Sequence, residues 1–371
     1  MHKDRKEDLI FEILPPRAID ELKGACIAKN YPLIEEYDFR RDLSSPDLKI
    51  ELKPTTSIRP YQEQSLSKMF SNGRARSGVI VLPCGAGKTL TGIVAATTIK
   101  KRVMVLCPSF ISIEQWRQQF KEYTKMGSKI VRLASKVNDT LPDDPEEPCI
   151  ILSTYHMICY QGNRAPDSQR IIDYISKRDW GLLILDEVQM LPANVFRSVI
   201  DLCKAHCKLG LTATLVREDD KIRDINFLIG PKLDEANWLD LQEQGYLARV
   251  QCIEVWCEMT PNFYAEYLKA TNKHNMRRAL YVNNPNKFMA CQYLMNLHES
   301  RGDKIIIFSD NISALKMYAK RLKRPYISGD VGEAERMGII HYFKHTNDLN
   351  TILISQVGDT ALDMPGANVI I

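Results

Sequence analysis

Short apolar runs that alternate with segments of helical pattern constrain the fold of this chain more than any other feature of its sequence. Between residues 78 and 212 the runs are rich in Val, Ile and Leu and occupy residues 79–82, 103–106, 150–152, 182–185 and 209–211. The segments of helical pattern between them cover residues 89–100, 113–123, 169–176 and 193–205. A continuous apolar run of this kind is typical of a strand that is buried on both faces of a parallel sheet. The alternation therefore predicts an α/β fold with a doubly wound parallel sheet.

A second alternation of the same kind occupies the last third of the chain. Its apolar runs are residues 305–308, 325–327, 351–354 and 367–371, and its helical segments are 287–298, 313–322 and 333–343. Because domains commonly have roughly 100 to 200 residues, a chain of 371 residues has room for two such domains. We therefore predict two doubly wound domains in tandem.

The first 52 residues lack this alternation. Residues 9–14 and 48–52 have the pattern of short strands, and residues 17–29, after two prolines, have the pattern of a helix. A piece of this size makes a poor core by itself, so we expect a small α+β appendage that docks on the first domain. The predicted boundaries are 1–52, 53–235 and 236–371, with a helical insertion at about 259–284.

Composition excludes several classes of protein. Hydrophobic residues make up 44% of the chain and charged residues 26%, which excludes a disordered, collagen-like or coiled-coil protein. The apolar runs are far shorter than the roughly 18 residues that a membrane helix requires, so we predict no contact with a membrane. The charged residues 1–8 are not followed by the apolar region of a signal peptide. A net charge of +4 is too small to indicate nucleic acid by itself.

The ten cysteines are scattered through the chain, and this spacing favours a reducing compartment over a disulfide framework. Cys203, His206 and Cys207 would share one face if this segment were helical. A structural zinc site requires four ligands, and the chain has no CxxC pair elsewhere to complete one. We therefore expect Cys203 and Cys207 to pack in the core.

The strongest local signal is residues 82–89, Leu-Pro-Cys-Gly-Ala-Gly-Lys-Thr, which follow an apolar run and open a helical segment. Gly85 and Gly87 would let backbone N–H groups wrap phosphates at the N-terminus of the helix. Lys88 would reach the β- and γ-phosphates, and the Thr89 hydroxyl would bind Mg²⁺. The general pattern has glycine where this chain has Leu82. The order of strand, loop and helix nevertheless predicts a phosphate-binding loop.

Two adjacent carboxylates follow another apolar run, at Asp186 and Glu187. Open α/β sheets bind their ligands at the carboxyl ends of the strands, where an acidic residue can serve as a partner of Mg²⁺. We expect Asp186 to hold the metal through water and Glu187 to orient and deprotonate the attacking water. Together with the phosphate loop, the pair predicts hydrolysis of a nucleoside triphosphate.

The ordered motifs of the chain resemble those of the superfamily-2 helicases and, within them, the XPB family of translocase subunits of the transcription and repair factor TFIIH. The resemblance extends from about residue 11 to residue 371. It rests on residues 59–62, 82–89, 107–109, 153–155, 186–189, 211–214, 217–219, 305–310 and 356–363. The charged Arg-Glu-Asp of residues 217–219 resembles a motif of the XPB family itself. The fold that the resemblance implies is two RecA-like domains in tandem.

The resemblance also implies roles for single residues. It implies that ATP is bound by Arg59, Gln62, Gly85, Ala86, Gly87, Lys88, Thr89 and Asp363. Of these residues, Arg59 and Gln62 would recognise the adenine. It implies that Gln189, Thr212 and Thr214 couple the nucleotide site to the nucleic acid site. It also implies that DNA is contacted by Ser109, Ser153, Thr154, Arg217, Glu218, Asp219, Gly358, Asp359 and Thr360. Residues 259–284 resemble the thumb-like insertion of the family, whose aromatic and basic residues suit base stacking and phosphate contact.

The resemblance departs from the family at two places. Gln189 stands where many relatives have histidine; it keeps a hydrogen-bonding amide but cannot carry a proton charge. The sequence also ends inside an apolar run, before the glutamine-glycine-arginine motif that supplies arginine fingers in this family. We expect a truncated chain that binds Mg-ATP and hydrolyses it slowly, because an arginine finger contributes orders of magnitude in rate.

The resemblance implies an ATP-dependent DNA helicase or double-stranded DNA translocase that opens DNA in transcription initiation and nucleotide excision repair. It implies ATP and Mg²⁺ as cofactors, DNA and other TFIIH subunits as partners, and the nucleus as the location. Two alternatives remain at this stage. One is a restriction-type or remodelling superfamily-2 motor, and the other is a nucleotide-regulated scaffold that binds DNA with little turnover.

Overall fold

The computed structural model divides the chain into two compact units, Met1–Arg249 and Val250–Ile371. It describes residues 16–29, 31, 33–134, 137–144, 146–160, 162, 164–190, 193–214, 222–271, 273–355, 364 and 366–371. Within these residues, none of the helices has both the length and the apolar character needed to cross a bilayer. The predicted domain boundaries at residues 52 and 235 stay predictions.

The first unit alternates strands and helices along most of its length. Its helices are α1 (Pro16–Ala28), α2 (Pro60–Met69), α3 (Lys88–Ile99), α4 (Phe110–Tyr123), α5 (Tyr155–Cys159), α6 (Pro166–Ser176), α7 (Ala193–Leu202), α8 (Ile222–Leu228) and α9 (Trp238–Glu243), with 3₁₀ turns at Ser71–Gly73 and Val188–Met190. Its strands are β1 (Glu36–Tyr37), β2 (Ile50–Leu52), β3 (Ala75–Arg76), β4 (Gly78–Val81), β5 (Val103–Cys107), β6 (Thr124–Met126), β7 (Lys129–Ala134), β8 (Val137–Asn138), β9 (Cys149–Thr154), β10 (Trp180–Asp186), β11 (Ala205–Thr212) and β12 (Lys232–Glu235).

Eight of these strands form one sheet in the order β12-β4-β11-β10-β5-β9-β7-β8. All neighbours pair in parallel except β7 and β8, which are antiparallel. Two small antiparallel pairs, β1 with β3 and β2 with β6, lie outside this sheet. Because the order departs from the order along the chain, the fold is a doubly wound α/β sheet, as the sequence predicts.

Both faces of the large sheet are covered, and this explains the continuous apolar runs. One core cluster packs α2, α3 and α4 against the side chains of one face of the strands, among them Val105 and Ile184. A second cluster packs α5, α6, α7 and α8 against the alternate side chains, among them Leu106 and Leu185. All seven residues of β10 are buried. A strand with two buried faces cannot alternate apolar with polar residues, because both sets of side chains face a core.

The segment that precedes β2 is fastened to the first unit by polar contacts. The Glu35 carboxylate accepts a hydrogen bond from Lys208 of β11 at 2.8 Å and also pairs with Lys23 of α1. Lys101 donates to the carbonyls of Asp42 at 2.7 Å and Ser45 at 2.9 Å. These contacts agree with the expectation that the N-terminal piece docks on the first domain.

The second unit is a smaller α/β layer. Its helices are α10 (Pro261–Lys269), α11 (His274–Val282), α12 (Pro285–Glu299), α13 (Ile312–Leu322) and α14 (Glu333–His345), and its strands are β13 (Ile305–Phe308), β14 (Tyr326–Ile327), β15 (Thr351–Ile354) and β16 (Val369–Ile370). The four strands form a parallel sheet in the order β14-β15-β13-β16. Side chains of α12 and α13 pack against β13 and β15 in its core. The helices α10 and α11 occupy the predicted helical insertion.

Most of the predicted elements are confirmed, and the differences have physical reasons. The strand β7 was not predicted, because Lys129 and Arg132 interrupt its apolar pattern at an outer position in the sheet. The predicted helical spacing of the cysteine cluster is wrong, since α7 ends at Leu202 and Cys207 lies on β11. Cys203 and Cys207 are both buried, as expected, but in core clusters on opposite faces of the sheet. The predicted strand at residues 9–14 lies outside the described residues.

Candidate nucleotide-binding site

The predicted phosphate loop connects the end of β4 to the start of α3. Gly85 and Gly87 have φ angles of 79° and 83°, in the left-handed region that glycine adopts without strain. A side chain at Gly87 would also collide with Gln62, whose Nε2 lies 2.4 Å from the position of an added Cβ. The departure at Leu82 is accommodated, because its side chain is buried in the core and its N–H donates to the Thr212 carbonyl at 2.9 Å. The loop therefore has the backbone that a phosphate site requires.

Residues at the start of α2 contact this loop directly. The Gln62 side chain is buried, and its Nε2 donates to the carbonyls of Ala86 at 2.9 Å and Gly87 at 3.2 Å. Its Oε1 accepts a hydrogen bond from the Arg59 N–H at 2.9 Å. The Tyr61 hydroxyl also donates to the Ala86 carbonyl, at 2.9 Å. The Gln62 amide thus connects the phosphate loop to Arg59 through both of its polar atoms.

Arg59 lies at the exposed side of the same region. Its guanidinium donates to the Tyr61 hydroxyl at 3.0 Å and lies 5.5 Å from the centre of the Tyr246 ring. Tyr246 follows α9, far along the chain from α2. The pattern of aromatic and guanidinium groups suits stacking against a planar base.

Five strand ends bring the other predicted residues to one edge of the sheet. Because β4, β11, β10, β5 and β9 are parallel neighbours in that order, their carboxyl ends form a continuous edge. The phosphate loop follows β4 and Ser109 follows β5, whereas Thr212, Asp186 and Thr154 are the last residues of β11, β10 and β9. Residues spread between positions 82 and 212 of the chain are thereby placed along one edge.

Lys88 and Glu187 form an ion pair at this edge. Lys88 Nζ lies 2.9 Å from Glu187 Oε1, and both side chains are largely buried. Glu187 has a φ of 52°, which is unusual for a residue other than glycine and marks a strained turn directly after β10. Thr89 is the second residue of α3 and is partly buried. The lysine of the phosphate loop and the predicted general base are therefore adjacent.

Asp186 ends β10 as a buried carboxylate that is 6% exposed. Burial raises the pKa of Asp186 to about 6, and a hydrogen bond from the Trp116 indole works in the opposite direction. Trp116 Nε1 donates to Asp186 Oδ2 at 2.9 Å. The Tyr155 hydroxyl donates to the Asp186 carbonyl at 2.7 Å.

Gln189 connects the general base to the next strand. Its Nε2 donates to Glu187 Oε2 at 2.8 Å, and its Oε1 accepts from the Thr212 hydroxyl at 2.5 Å. The Thr214 N–H in turn donates to the Thr212 hydroxyl oxygen at 3.2 Å. Lys88, Glu187, Gln189, Thr212 and Thr214 thus form one hydrogen-bonded chain across three strand ends. An amide can make these contacts without carrying charge.

The hydroxyl groups predicted to contact DNA differ in their surroundings. Ser109 caps α4 and accepts from the Ser112 N–H at 3.3 Å, and Thr154 caps α5 and accepts from the Met157 N–H at 3.2 Å. Both are partly exposed at the sheet edge. Ser153 is fully buried and donates to the Leu133 carbonyl at 2.8 Å, so its hydroxyl does not face a ligand in this structure.

Seven predicted site residues lie outside the described residues, and their roles stay predictions. They are Arg217, Glu218, Asp219, Gly358, Asp359, Thr360 and Asp363. Four aromatic residues that support the site were not predicted. Tyr61 and Tyr155 lie inside the motifs at residues 59–62 and 153–155, but no role was assigned to either of them. Trp116 and Tyr246 have no local sequence signal, because an isolated aromatic residue usually indicates core packing.

A phosphate loop, a buried strand-end aspartate and a neighbouring glutamate on a doubly wound sheet, followed by a second parallel sheet, define the class of superfamily-2 helicase cores. Two family models match the chain: "Type III restriction enzyme, res subunit" over residues 55–217 and "ERCC3/RAD25/XPB C-terminal helicase" over residues 241–371. The chain belongs to the XPB family.

The chain is similar over nearly its whole length to named relatives in several organisms. The chain is 54% identical over 361 residues to the TFIIH helicase/translocase subunit XPB of Dictyostelium discoideum, covering 97% of this chain and 45% of the relative. It is 54% identical over 354 residues to the XPB/SSL2 subunit of Saccharomyces cerevisiae, covering 95% of this chain and 42% of the relative. The chain therefore spans less than half the length of these relatives.

A solved structure supports the fold alone. Saccharomyces cerevisiae Dbp5 bound to RNA and ADP BeF3 aligns with a TM-score of 0.56 at 16% identity, covering 96% of this chain and 78% of that chain. Family and fold together confirm the prediction of two tandem RecA-like domains. Helicase and translocase are the activities that the names of these relatives give them.

Proposed function

We propose that this chain is the motor core of an ATP-dependent DNA helicase or double-stranded DNA translocase of the XPB type, which opens DNA in transcription initiation and nucleotide excision repair. The observation that carries the proposal is the hydrogen-bonded chain from Lys88 through Glu187 and Gln189 to Thr212. This arrangement supports a hydrolytic centre that is connected to a neighbouring strand end. Such a connection suits a motor, in which hydrolysis must be linked to binding elsewhere.

ATP and Mg²⁺ are the nucleotide and metal that the residues suit. The Thr89 hydroxyl and the Asp186 carboxylate are oxygen donors, which Mg²⁺ prefers over nitrogen or sulfur. When bound, the metal would neutralise charge on the phosphates. Burial of Asp186 in a largely apolar setting favours a partner of opposite charge. Thr89 and Asp186 would hold the metal through few protein ligands, as is usual for Mg²⁺ at phosphates.

The remaining residues of the site would have different roles in binding and hydrolysing the nucleotide. Lys88 would leave Glu187 and bind the β- and γ-phosphates, while the N–H groups of Gly85, Ala86 and Gly87 wrap them. Glu187 would then accept a proton from the attacking water. Gln62 and Arg59 would contact the adenine, and Asp363 the ribose.

DNA contacts are proposed for the same sheet edge and for the second unit. Ser109 and Thr154 cap helices at the edge, where short hydroxyls and backbone N–H groups suit phosphate oxygens. Arg217, Glu218, Asp219, Gly358, Asp359 and Thr360 stay as proposed contacts, as does Ser153, although it is fully buried in this structure. In the thumb-like insertion, the Arg277 guanidinium lies 4.1 Å from the centre of the Tyr267 ring, a pair that suits stacking and phosphate contact.

The cellular setting rests on the names of the relatives. They are TFIIH subunits, so we propose other TFIIH subunits as partners and the nucleus as the location. Domains 1–52, 53–235 and 236–371 stay as the proposed division into an N-terminal DNA-engaging remnant and two helicase domains.

Steady-state ATP hydrolysis with and without duplex DNA tests this function. We expect slow hydrolysis that DNA stimulates weakly; Lys88→Ala should remove nucleotide binding, and Glu187→Gln should stop hydrolysis with binding intact. Lys121→Ala, an exposed lysine on α4, is the control and should match the unchanged protein. Nucleotide and DNA binding without any DNA-stimulated turnover would favour the scaffold alternative. Equal loss of binding in Lys88→Ala and Glu187→Gln would contradict the division of roles.

A further inference from the structure

The indole of Trp116 is held in one position on the phosphate-loop side of the sheet. Trp116 lies on α4, is 1% exposed, and packs with its ring centroid 5.9 Å from that of Phe120. Gly92 of α3 leaves room for the ring, because an added Cβ there would lie 2.6 Å from Trp116 Cη2. A ring confined in this way can aim its single N–H in one direction only, and that N–H donates to Asp186 Oδ2.

Tyr155 approaches the same residue from the opposite face of the sheet. Its ring belongs to the core cluster of α5, α6, α7 and α8, whereas Trp116 belongs to the cluster of α2, α3 and α4. The Tyr155 hydroxyl donates to the Asp186 carbonyl at 2.7 Å, and the tyrosine is buried. One aromatic residue therefore holds the carboxylate of Asp186, and another holds its main chain.

Both contacts bear on geometry that hydrolysis needs. A carboxylate that can rotate freely binds a metal, or the water molecules on it, less tightly than one held in a fixed orientation. A hydrogen bond from a neighbouring side chain fixes that orientation. The Asp186 carbonyl belongs to the peptide that leads into Glu187, whose left-handed φ of 52° turns it beside Lys88. A carboxylate has lone pairs for a second partner after accepting one hydrogen bond, so Trp116 does not exclude a metal-bound water.

We propose that Trp116 and Tyr155 are positioning residues of the hydrolytic centre: Trp116 orients the Asp186 carboxylate toward magnesium, and Tyr155 fixes the main chain from which Glu187 turns. This inference rests on the proposed function, since it assumes that Asp186 serves magnesium and that Glu187 serves water. Neither aromatic residue touches the nucleotide in this scheme. Their effect passes through Asp186 and Glu187.

The chain contains a matched control for each residue. Trp180 is also fully buried, and its Nε1 donates to a backbone carbonyl, that of Ile175, at 3.2 Å. Trp180→Phe therefore removes the same ring volume and one indole hydrogen bond without touching Asp186. Tyr174 is the control for Tyr155, because it packs against the same core cluster and its hydroxyl contacts only Cys149 among the described hydrogen bonds.

Magnesium titration of nucleotide binding tests the role of Trp116. Binding of a fluorescent ADP is measured at a series of Mg²⁺ concentrations and in EDTA for the full chain. We expect Trp116→Phe to raise the Mg²⁺ concentration at half-maximal effect by about 10-fold or more, the usual range for losing such an outer hydrogen bond. Affinity in EDTA should not change, and Trp180→Phe should leave the magnesium dependence unchanged. Equal magnesium dependence in the two variants would overturn the proposal for Trp116.

A shape-preserving replacement guards against a folding defect. Exchange of Trp116 for 3-benzothienylalanine keeps the bicyclic ring but has sulfur in place of the N–H. The same increase in magnesium requirement is expected, with an unchanged far-ultraviolet circular dichroism spectrum. A normal magnesium requirement with this ring would show that Trp116 contributes packing alone.

Kinetics separate the role of Tyr155. We expect Tyr155→Phe to lower kcat by roughly 10-fold, about the loss of one buried hydrogen bond, with KM and magnesium dependence unchanged. Tyr174→Phe should have the kcat of the unchanged protein, and an equal kcat in Tyr155→Phe would overturn this part. Failure of the proposed function is recognised separately, because Lys88→Ala would then bind nucleotide as well as the unchanged protein does.

Discussion

Burial of the ionised Asp186 carboxylate destabilises the folded protein, and the pKa of Asp186 determines the pH range in which this destabilisation appears. Burial raises the pKa of Asp186 to about 6, above the ordinary aspartate value of 3.8. Between these values the folded state binds more protons than the unfolded state, so the contribution of this group to the free energy of unfolding falls as pH rises. Above pH 6 the full penalty of the buried charge is present.

Asp186→Asn should therefore stabilise the protein at alkaline pH while abolishing magnesium-dependent hydrolysis. The gain at pH 8 is on the order of 2 kcal/mol, or roughly 4–8 °C in the Tm of the first unit. At pH 5 the gain should be smaller, because the folded aspartate is then largely protonated. Thermal unfolding at the two pH values measures the difference. If Asp186→Asn were less stable than the unchanged protein by the same amount at both pH values, the buried charge would not destabilise the fold.

Gln189 is the residue through which the general base reaches Thr212. We expect Gln189→Ala to lower the DNA-stimulated rate of ATP hydrolysis by about 10-fold, since it removes hydrogen bonds to Glu187 and Thr212. Nucleotide affinity should change little, because Gln189 does not contact the phosphate loop in this structure. The ratio of rates with and without duplex DNA is the measurement. Gln64→Ala, an exposed glutamine of α2, is the control; an unchanged ratio in Gln189→Ala would contradict the coupling role.

Single residues also mark the limit of what sequence could predict at the site. Lys88, Asp186 and Glu187 stand in motifs whose spacing to strand ends is fixed, so their adjacency followed from the parallel sheet. Trp116 lies 70 positions from Asp186, and only the packing of α4 on α3 directs its N–H to the carboxylate. The hydrogen bonds from Gln62 to the phosphate loop were likewise not predictable, because they depend on how α2 packs against the loop.

At the scale of elements, the sequence predicts strands correctly where helices cover both faces of the sheet. The central strands have continuous apolar runs because helices cover both faces, and a run of that kind is visible in sequence. The strand β7 was missed because its exposed and partly buried positions carry Lys129 and Arg132. The segment at residues 203–207 was assigned to a helix because its spacing fits one, whereas β11 begins at Ala205.

The N-terminal segment offers a test of how one element is fastened. Lys208 and Lys23 lower the pKa of Glu35 against the opposing effect of burial, so its ionised form favours the folded state. The stabilisation is complete above the unfolded value of 4.5 and is lost as pH falls through the lower folded value. Glu35→Gln should lower the free energy of unfolding by roughly 1 kcal/mol at pH 7.

Chemical unfolding at pH 7 and at acid pH measures this contribution. The difference between Glu35→Gln and the unchanged protein should shrink as the solution becomes acidic, because the carboxyl is then protonated in both states. Glu51→Gln, an exposed carboxylate on β2, is the control and should have no effect at either pH. A deficit that persists at acid pH would point to packing and not to charge.

At the scale of the whole molecule, the described residues that we propose to bind the nucleotide belong to the first unit. Lys88, Glu187, Gln62 and Arg59 all precede Arg249. We expect the fragment of residues 1–249 to bind Mg-ADP within about 10-fold of the affinity of the whole chain, a difference of 1.4 kcal/mol. Its hydrolysis should not respond to DNA, because the proposed contacts at residues 358–360 are absent. Isothermal titration of the fragment and of the chain is the measurement; a folded fragment that fails to bind would place essential contacts in the second unit.

The two-sided burial of β10 has a consequence for how variation can be distributed along the molecule. The six positions before Asp186 are all buried, so a mutational scan should find none of them that accepts a charged residue. Along β7, where exposed and buried positions are mixed, tolerance should change from residue to residue. Neutral drift is thereby confined to the outer strands and the surface of the covering helices, and the strand that presents Asp186 has almost no freedom to change.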